Sequence, residues 1–430
     1  MERYSHYKES GIQWIGEIPS HWKICSVRTY AQEYVEKNKP EKTRELLALS
    51  YALGVTLYRD KQFNMDRVKE NYEEYKIVHE GVLVVSPNDI IKGSVFVSQY
   101  YGCISPMYIT LKSRFSDPDY LLYLSYLLRS KKAGRKFFSL AKGLIGSILD
   151  NGKYVTRRMS VSRNDLMSFK VILPPLSELQ TIVEFLDKKT SQIDTIVADK
   201  EKEIELLQEL KQKTIADAVT KGLNPDAKMK DSGISWIGEI PEHWEVKKIG
   251  SLFVERREKV SDKDYPALSV SKQGITPQLD TAVKTDNGDN RKKVCKNDFV
   301  VNSRSDRKGS CGVSPYTGSV SLINIVLSPR KNIEVQYFHH LFRSNNYIEE
   351  YYRIGRGIVA DLWTTRYSEM RNIFVPLPPK DEQQAIVSYI EEKCEKIDKL
   401  ASELQSEIDY LKEYKQRLIA DCVTGQVKVS

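Results

Sequence analysis

The chain has few cysteines, no long apolar run and none of the short motifs of catalysis. Its six cysteines, at 25, 103, 295, 311, 394 and 422, form no C-x-x-C pair and no cluster with histidine. That spacing argues against a zinc site and a disulfide framework, and for a reducing cytoplasm. The densest apolar stretch, LLYLSYLL at 121–128, is too short to span a bilayer, so no membrane partner is expected. The opening MERYSHYKES is polar and charged, which reads against a secretory signal. There is no Walker loop, no H-E-x-x-H and no G-x-S-x-G elbow. The glycine-rich segments AKGLIG (141–146) and GRGIVA (355–360) follow no convincing strand of a dinucleotide-binding unit. Neither a catalytic residue nor a bound metal or cofactor is expected of this chain. The formal net charge of +8 is a mild hint of a polyanionic partner.

What the chain does have is repetition. SGIQWIGEIPSHW at 10–22 returns as SGISWIGEIPEHW at 232–244, and the two copies hold four of the five tryptophans. A longer echo begins LPPLSELQ at 173 and ends IADAVT at 220; it returns from LPPKDEQQ at 377 to IADCVT at 424. Shorter matches lie between, in the same order, such as KGSVFVSQYYGCIS (92–105) with KGSCGVSPYTGSVS (308–321) and LLRSKKA (127–133) with LFRSNNY (341–347). Each half therefore reads as opening phrase, divergent domain and long helix. The expected divisions are a first domain at 1–172 with its phrase at 8–24, and a helix at 173–222. A second domain follows at 223–376 with its phrase at 230–246, then a helix at 377–430. The C-terminal TGQVKVS stands where the first half has TKGLNPD, so the organisation is circular and the chain ends are expected to lie close together.

The helical segments start after Pro-Pro, with Ser177 or Asp381 placed to cap the following amides. Apolar residues alternate at spacings of four and three, as in a heptad seam. In the first copy they are Ile193, Val197, Ile204, Leu207 and Ala218, interrupted by Lys200, Lys211 and Thr214. In the second they are Ile397, Ala401, Leu404, Ile408, Leu411, Leu418 and Cys422, interrupted by Lys415. Helices of roughly 45 residues would reach some 65 Å, more than a small domain can cover, and an antiparallel coiled coil uses the surplus best. The fold class expected is α+β: two mixed α/β domains, a helical coiled coil and an internal pseudo-two-fold repeat.

Within each domain, β-branched runs (GVLVV at 81–85, NDFVV at 297–301) and closing strands (ITL at 109–111, IVL at 325–327) frame a polar loop. At constant offset Ser86, Asn88, Asp89 and Ile91 become Asn302, Arg304, Ser305 and Arg307, while Lys92, Gly93 and Ser94 persist as Lys308, Gly309 and Ser310. A constant frame carrying variable polar residues suits recognition of two different targets. Segment 291–308 carries seven Lys or Arg against two Asp, and RSKKAGRK (129–136) and RRMSVSR (157–163) supply cations to the first domain. Lys and Arg neutralise phosphates, and Arg, Asn, Gln and Ser can read base edges. The DNA-binding candidates are Asn88, Lys92, Ser94, Gln99 and Tyr100 in the first domain, and Asn302, Arg304, Arg307, Lys308 and Ser310 in the second. His21 and His243, beside tryptophans of the opening phrases, read as packing or hydrogen-bonding residues.

On the paired SGIxWIGEIPxHW phrases, the paired LPP helices ending IADAVT and IADCVT, and the two variable domains between them, the chain resembles the specificity subunit of type I restriction-modification systems from end to end. The resemblance implies that each variable domain is a target recognition domain reading one half of a split double-stranded DNA site, and that the coiled coil fixes the spacer. It implies a subunit that is not itself catalytic. It also implies recruitment of two methyltransferase subunits, which bind S-adenosylmethionine and methylate adenine, and through them of two ATP- and Mg-dependent restriction subunits. Two competing readings from the residues alone are a scaffold whose two domains bind proteins across a helical spacer, and an enzyme such as a nuclease with a site the sequence does not disclose.

Overall fold

A computed structural model describes residues 2–51, 53–60, 71–143, 159–279, 288–330, 333–355 and 364–429. Two compact units are present, Met1–Lys200 with Ser406–Ser430, and Glu201–Gln405. The division falls inside both long helices, Leu176–Lys221 and Lys380–Val423. Each unit is an antiparallel α+β domain joined to one half of each helix.

The topology of the first unit recurs in the second. A four-stranded sheet runs in the order Val95–Val97, Leu83–Val85, Ile109–Ser113, Ala31–Glu33. In the second unit the order is Cys311–Val313, Phe299–Asn302, Asn324–Pro329, Phe253–Glu255. Three-stranded sheets recur likewise, Gly102–Ile104, Lys76–Val78, Glu36–Lys37 in one and Gly318–Val320, Arg291–Val294, Lys259–Val260 in the other. So do a hairpin (Leu47–Ser50 with Gly54–Leu57; Leu268–Ser271 with Gly274–Pro277) and a strand pair (Lys23–Ser26 with Lys170–Leu173; Glu245–Lys248 with Phe374–Leu377). The runs read as strands are strands because their Val, Ile and Leu side chains are buried on both faces, as Leu83, Val84 and Val85 are.

The opening phrase locks each domain to the helix ends. In the first unit Trp22 is fully buried and its Nε1 donates to Glu178 in the first turn of the long helix (3.0 Å), which also accepts from Tyr4 (2.9 Å) and meets His21 Nε2 at 2.7 Å. In the second unit His243 meets Glu382 at 2.8 Å, the same helical position. Trp22 and Trp244 also pack against the glycines that end the opposite helix, Gly425 and Gly222. Both glycines are left-handed (φ 69° and 75°), as a helix end requires, and a Cβ on Gly425 would lie 2.4 Å from Pro19. The last helical carbonyls are capped from the domains: Tyr123 Oη donates to Val423 O and Tyr337 Oη to Val219 O, both at 2.8 Å. The chain ends meet in the first unit, where Lys428 N donates to Glu2 O at 2.8 Å.

The seam follows the period read from the sequence. Ile193, Val197, Leu404 and Ile408 are buried, and Ile204, Leu207, Ile397 and Leu411 are half-buried among exposed neighbours. The lysines that interrupt the seam are partnered across it. Lys415 bonds Asp194 (2.6 Å) and Lys200 bonds Glu407 in the first unit, and Lys211 bonds Asp398 (2.7 Å) in the second. As the partner on the first helix advances from 194 to 200 to 211, its mate on the second retreats from 415 to 407 to 398, which is an antiparallel register. One expectation is corrected: Ser177 and Asp381 do not cap the helices but lie inside their first turns. Helix begins directly after Pro-Pro, and the carbonyls of Pro175 and Pro379 accept the first helical bonds, from Leu179 N and Gln383 N at 2.9 Å.

Candidate nucleic-acid interface

The polar loop of each domain is not one loop. In the first unit its middle is a strand, Val95–Val97, that pairs back on Leu83–Val85. The hairpin so formed has two ends, separated by about four residues of strand, roughly 13 Å. At one end is the turn 86–94, and at the other the loop 98–101. Asn88 and Lys92 are exposed on the turn; Gln99 and Tyr100 are exposed on the far loop, where Ser98 Oγ donates to Tyr100 O at 2.9 Å. The five residues predicted together therefore fall into two groups. In the second unit Asn302, Arg304, Arg307 and Lys308 all sit on the turn 302–310, closed by Asn302 N to Ser310 O (2.9 Å). The far loop repeats the first unit's frame, with Ser314 Oγ donating to Tyr316 O at 2.7 Å.

Ser94 and Ser310 are corrected by this geometry. Both are buried, and their backbones close the turn: Ser94 N donates to Asp89 O and Ser310 N to Arg307 O. They shape the turn and present no hydroxyl at the surface.

The exposed cations of the second turn share acidic partners. Asp306 receives Arg304 Nε at 3.0 Å and faces Arg307 Nε at 3.5 Å; Lys308 reaches Glu349 at 2.6 Å and lies 4.9 Å from the Tyr352 ring. Their side chains stay 43–61% exposed, so a phosphate or base edge can reach them. Exposed pairs of this kind hold little energy and exchange readily for an anionic ligand. In the first unit Lys92 lies 3.3 Å from Asp89. Arg129, counted among surface cations, is instead held flat between Phe96 and Tyr126, 4.3 and 4.5 Å from their centroids. Residues 157–158, 144–146 and 356–360 lie outside the described residues.

Behind the second turn stands an apolar wall of Phe299, Phe342, Tyr347 and Tyr351. Burial, aided by Arg343, pushes His339 down to about 3 and His340 to about 4, so both are neutral. His339 Nδ1 accepts from Val313 N at 3.2 Å, a scaffolding bond of the turn's own strand. At the far end of the first domain, bonds from Lys42, Tyr34 and His79 hold Glu36 as a carboxylate down to about 2.

Two segments, 70–206 and 241–410, match the type I restriction modification DNA specificity domain, and together they span most of the chain. The chain belongs to the specificity subunits of type I restriction-modification systems. Similar proteins include the MjaX specificity subunit of Methanocaldococcus jannaschii, 24% identical over 98% of both chains. The EcoBI specificity subunit of Escherichia coli is 25% identical over 68% of this chain and 65% of its own. Two solved structures share the fold at 14% identity. One, from work on assembly and conformational transition of the type I R-M system, covers 95% of this chain and 99% of its own with a TM-score of 0.66. The HsdS subunit from Thermoanaerobacter tengcongensis covers 95% and 98% with a TM-score of 0.50.

For a specificity subunit, three features were hidden from sequence reasoning. The hairpin tips at 51–53 and 272–273 lie beside the turns, and nothing in their residue types marks them. Glu178 and Glu382 gather the opening phrases. Exposed apolar side chains on the helices fall at matched positions: Ile196 with Leu400, Leu206 with Tyr410, Leu210 with Tyr414. An offset comparison of the two helices would have found the last.

Proposed function

We propose that this specificity subunit reads a bipartite, asymmetric DNA site, one part with each domain, and recruits two methyltransferase subunits without a catalytic site of its own. The observation that carries the reading is one repeated frame bearing different polar residues. Where the first turn offers Asn88 and Lys92, the second offers Arg304, Arg307 and Lys308. Arg is the side chain best shaped to bridge guanine O6 and N7, and Asn suits adenine N6 and N7. Unlike turns on like frames therefore read unlike half-sites. S-adenosylmethionine belongs to the methyltransferase subunits, ATP and Mg to two further restriction subunits, and the assembly works in the cytoplasm.

The recruitment half of the reading draws on the matched apolar pairs of the helices. Leu206 and Leu210 are 54% and 50% exposed, Tyr410 and Tyr414 73% and 49%. Each pair spans one helical turn, the spacing an amphipathic helix of a partner protein would cover. Their presence once on each helix suits two copies of one partner.

The test is Arg304→Ala in binding assays on duplexes with either half-site scrambled. Binding to one half-site should weaken by roughly 1–3 kcal/mol with the other unaffected. Equal loss on scrambled DNA would reduce Arg304 to a phosphate contact. No sequence preference and no steep salt dependence in the parent protein would favour a protein-binding scaffold instead.

A further inference from the structure

Each turn has a neighbour that the sequence did not disclose. In the first unit the hairpin of Leu47–Ser50 and Gly54–Leu57 carries Tyr51 and Leu53 at its tip, 56% and 65% exposed. Gly54 closes the tip against Phe96, and a Cβ there would lie 3.1 Å from the ring. The same ring supports Arg129 at 4.3 Å, and the Arg129 backbone carbonyl would meet a Cβ on Gly93 at 3.2 Å. Tip, cation and turn are thus one continuous surface, with exposed Lys92 and Lys131 on it. In the second unit the equivalent tip is Lys272 and Gln273, both exposed, and Arg343 at the end of its helix donates to Lys272 O.

Resting on the DNA-reading function proposed above, we infer that the first domain wedges Leu53 and Tyr51 into a base step of its half-site, whereas the second domain's tip reads base edges with Lys272 and Gln273. Two bare apolar side chains at a hairpin apex can replace base stacking, while the cations around them hold the phosphates on either side. A cationic rim suits a polyanion and does not suit an apolar groove on a protein. Lys and Gln cannot replace stacking but can hydrogen-bond base edges. The first half-site is consequently read in part through deformability, and contains a flexible pyrimidine–purine step where the wedge enters.

The experiment uses the complex purified from the host through a tag on this chain, and duplexes carrying the site mapped from the host's methylated adenines. 2-Aminopurine is placed beside each step in turn. The expected result is a several-fold fluorescence rise at one step of one half-site. Leu53→Ala and Tyr51→Ala should each abolish the rise and weaken binding about tenfold. Leu53→Met, which keeps an apolar wedge, should retain both. Specific binding by the parent complex with no rise at any step overturns the inference, as does unchanged binding by the double variant. Loss of a co-purifying protein with DNA binding intact would assign the tip to a protein partner and overturn it too. Failure of the DNA-reading function itself is recognised separately, as a parent complex that does not prefer the mapped site over a scrambled one.

Discussion

Replacing Glu178 by alanine tests whether the repeated opening phrase is a clamp. One carboxylate serves three donors: Trp22 Nε1 at 3.0 Å, Tyr4 Oη at 2.9 Å and His21 Nε2 at 2.7 Å. Trp22 is 0% exposed, so its N–H would be left buried without an acceptor, a cost of about 1–3 kcal/mol. The half-exposed Tyr4 and His21 bonds add about 1 kcal/mol together. Glu178→Ala should therefore destabilise the first unit by about 2–4 kcal/mol. The pseudo-symmetric Glu382→Ala is an internal control. Glu382 holds His243, whose side chain is 56% exposed, and Trp244 Nε1 already has no partner. Its loss should cost about 1 kcal/mol or less. Urea unfolding followed by tryptophan fluorescence separates the two, and equal losses would refute the clamp. The pH dependence adds a second check. Burial raises the Glu178 carboxyl, but the bonds from Trp22, His21 and Tyr4 outweigh it and leave the group below its usual value. A carboxylate depressed in the folded state contributes fully above the ordinary glutamate range and loses that contribution as pH falls through the lowered value. The difference between parent and variant should hold at neutral pH and shrink on acidification below about pH 4.

Three further expectations follow from particular side chains. Tyr347 Oη is buried with no hydrogen-bond partner, so Tyr347→Phe should raise the stability of the second unit by about 1 kcal/mol in thermal unfolding; a fall would mean the hydroxyl is satisfied. Lys211 and Lys415 hold seam positions and pair with Asp398 and Asp194. Changing both lysines to methionine should raise the unfolding midpoint, because an apolar seam residue is worth more than an exposed ion pair by about 1 kcal/mol. Adding seven residues to each long helix should lengthen the preferred spacer between half-sites without changing either, measured by binding to duplexes of varied spacer; an unchanged spacer would refute the helices as a ruler.

Much of the candidate site was legible only as a set of residue types. Arg304, Arg307 and Lys308 do share one turn, because the five residues between Asn302 and Lys308 are too few to leave it. Asn88 and Tyr100 do not, because Val95–Val97 turns back as a strand inside what reads as polar loop. Three residues flanked by serines and glycine are too short a run to carry a periodic signal. Ser94 and Ser310 look like surface hydroxyls until the turn closes over them.

The amino-acid sequence by itself determined the duplication, the antiparallel α+β domains and the period of the helical seam. These rest on repeats and on hydrophobic spacing along the chain, which neighbours in sequence express without help from distant residues. Tertiary structure alone decided which polar groups face water, which hairpin tips lie beside the turns, and which acids answer the lysines at 200, 211 and 415. It also decided that Glu178 gathers Tyr4, His21 and Trp22 from more than 150 residues away. Contacts at such separations depend on how sheets and helices close on one another, and no local pattern encodes them.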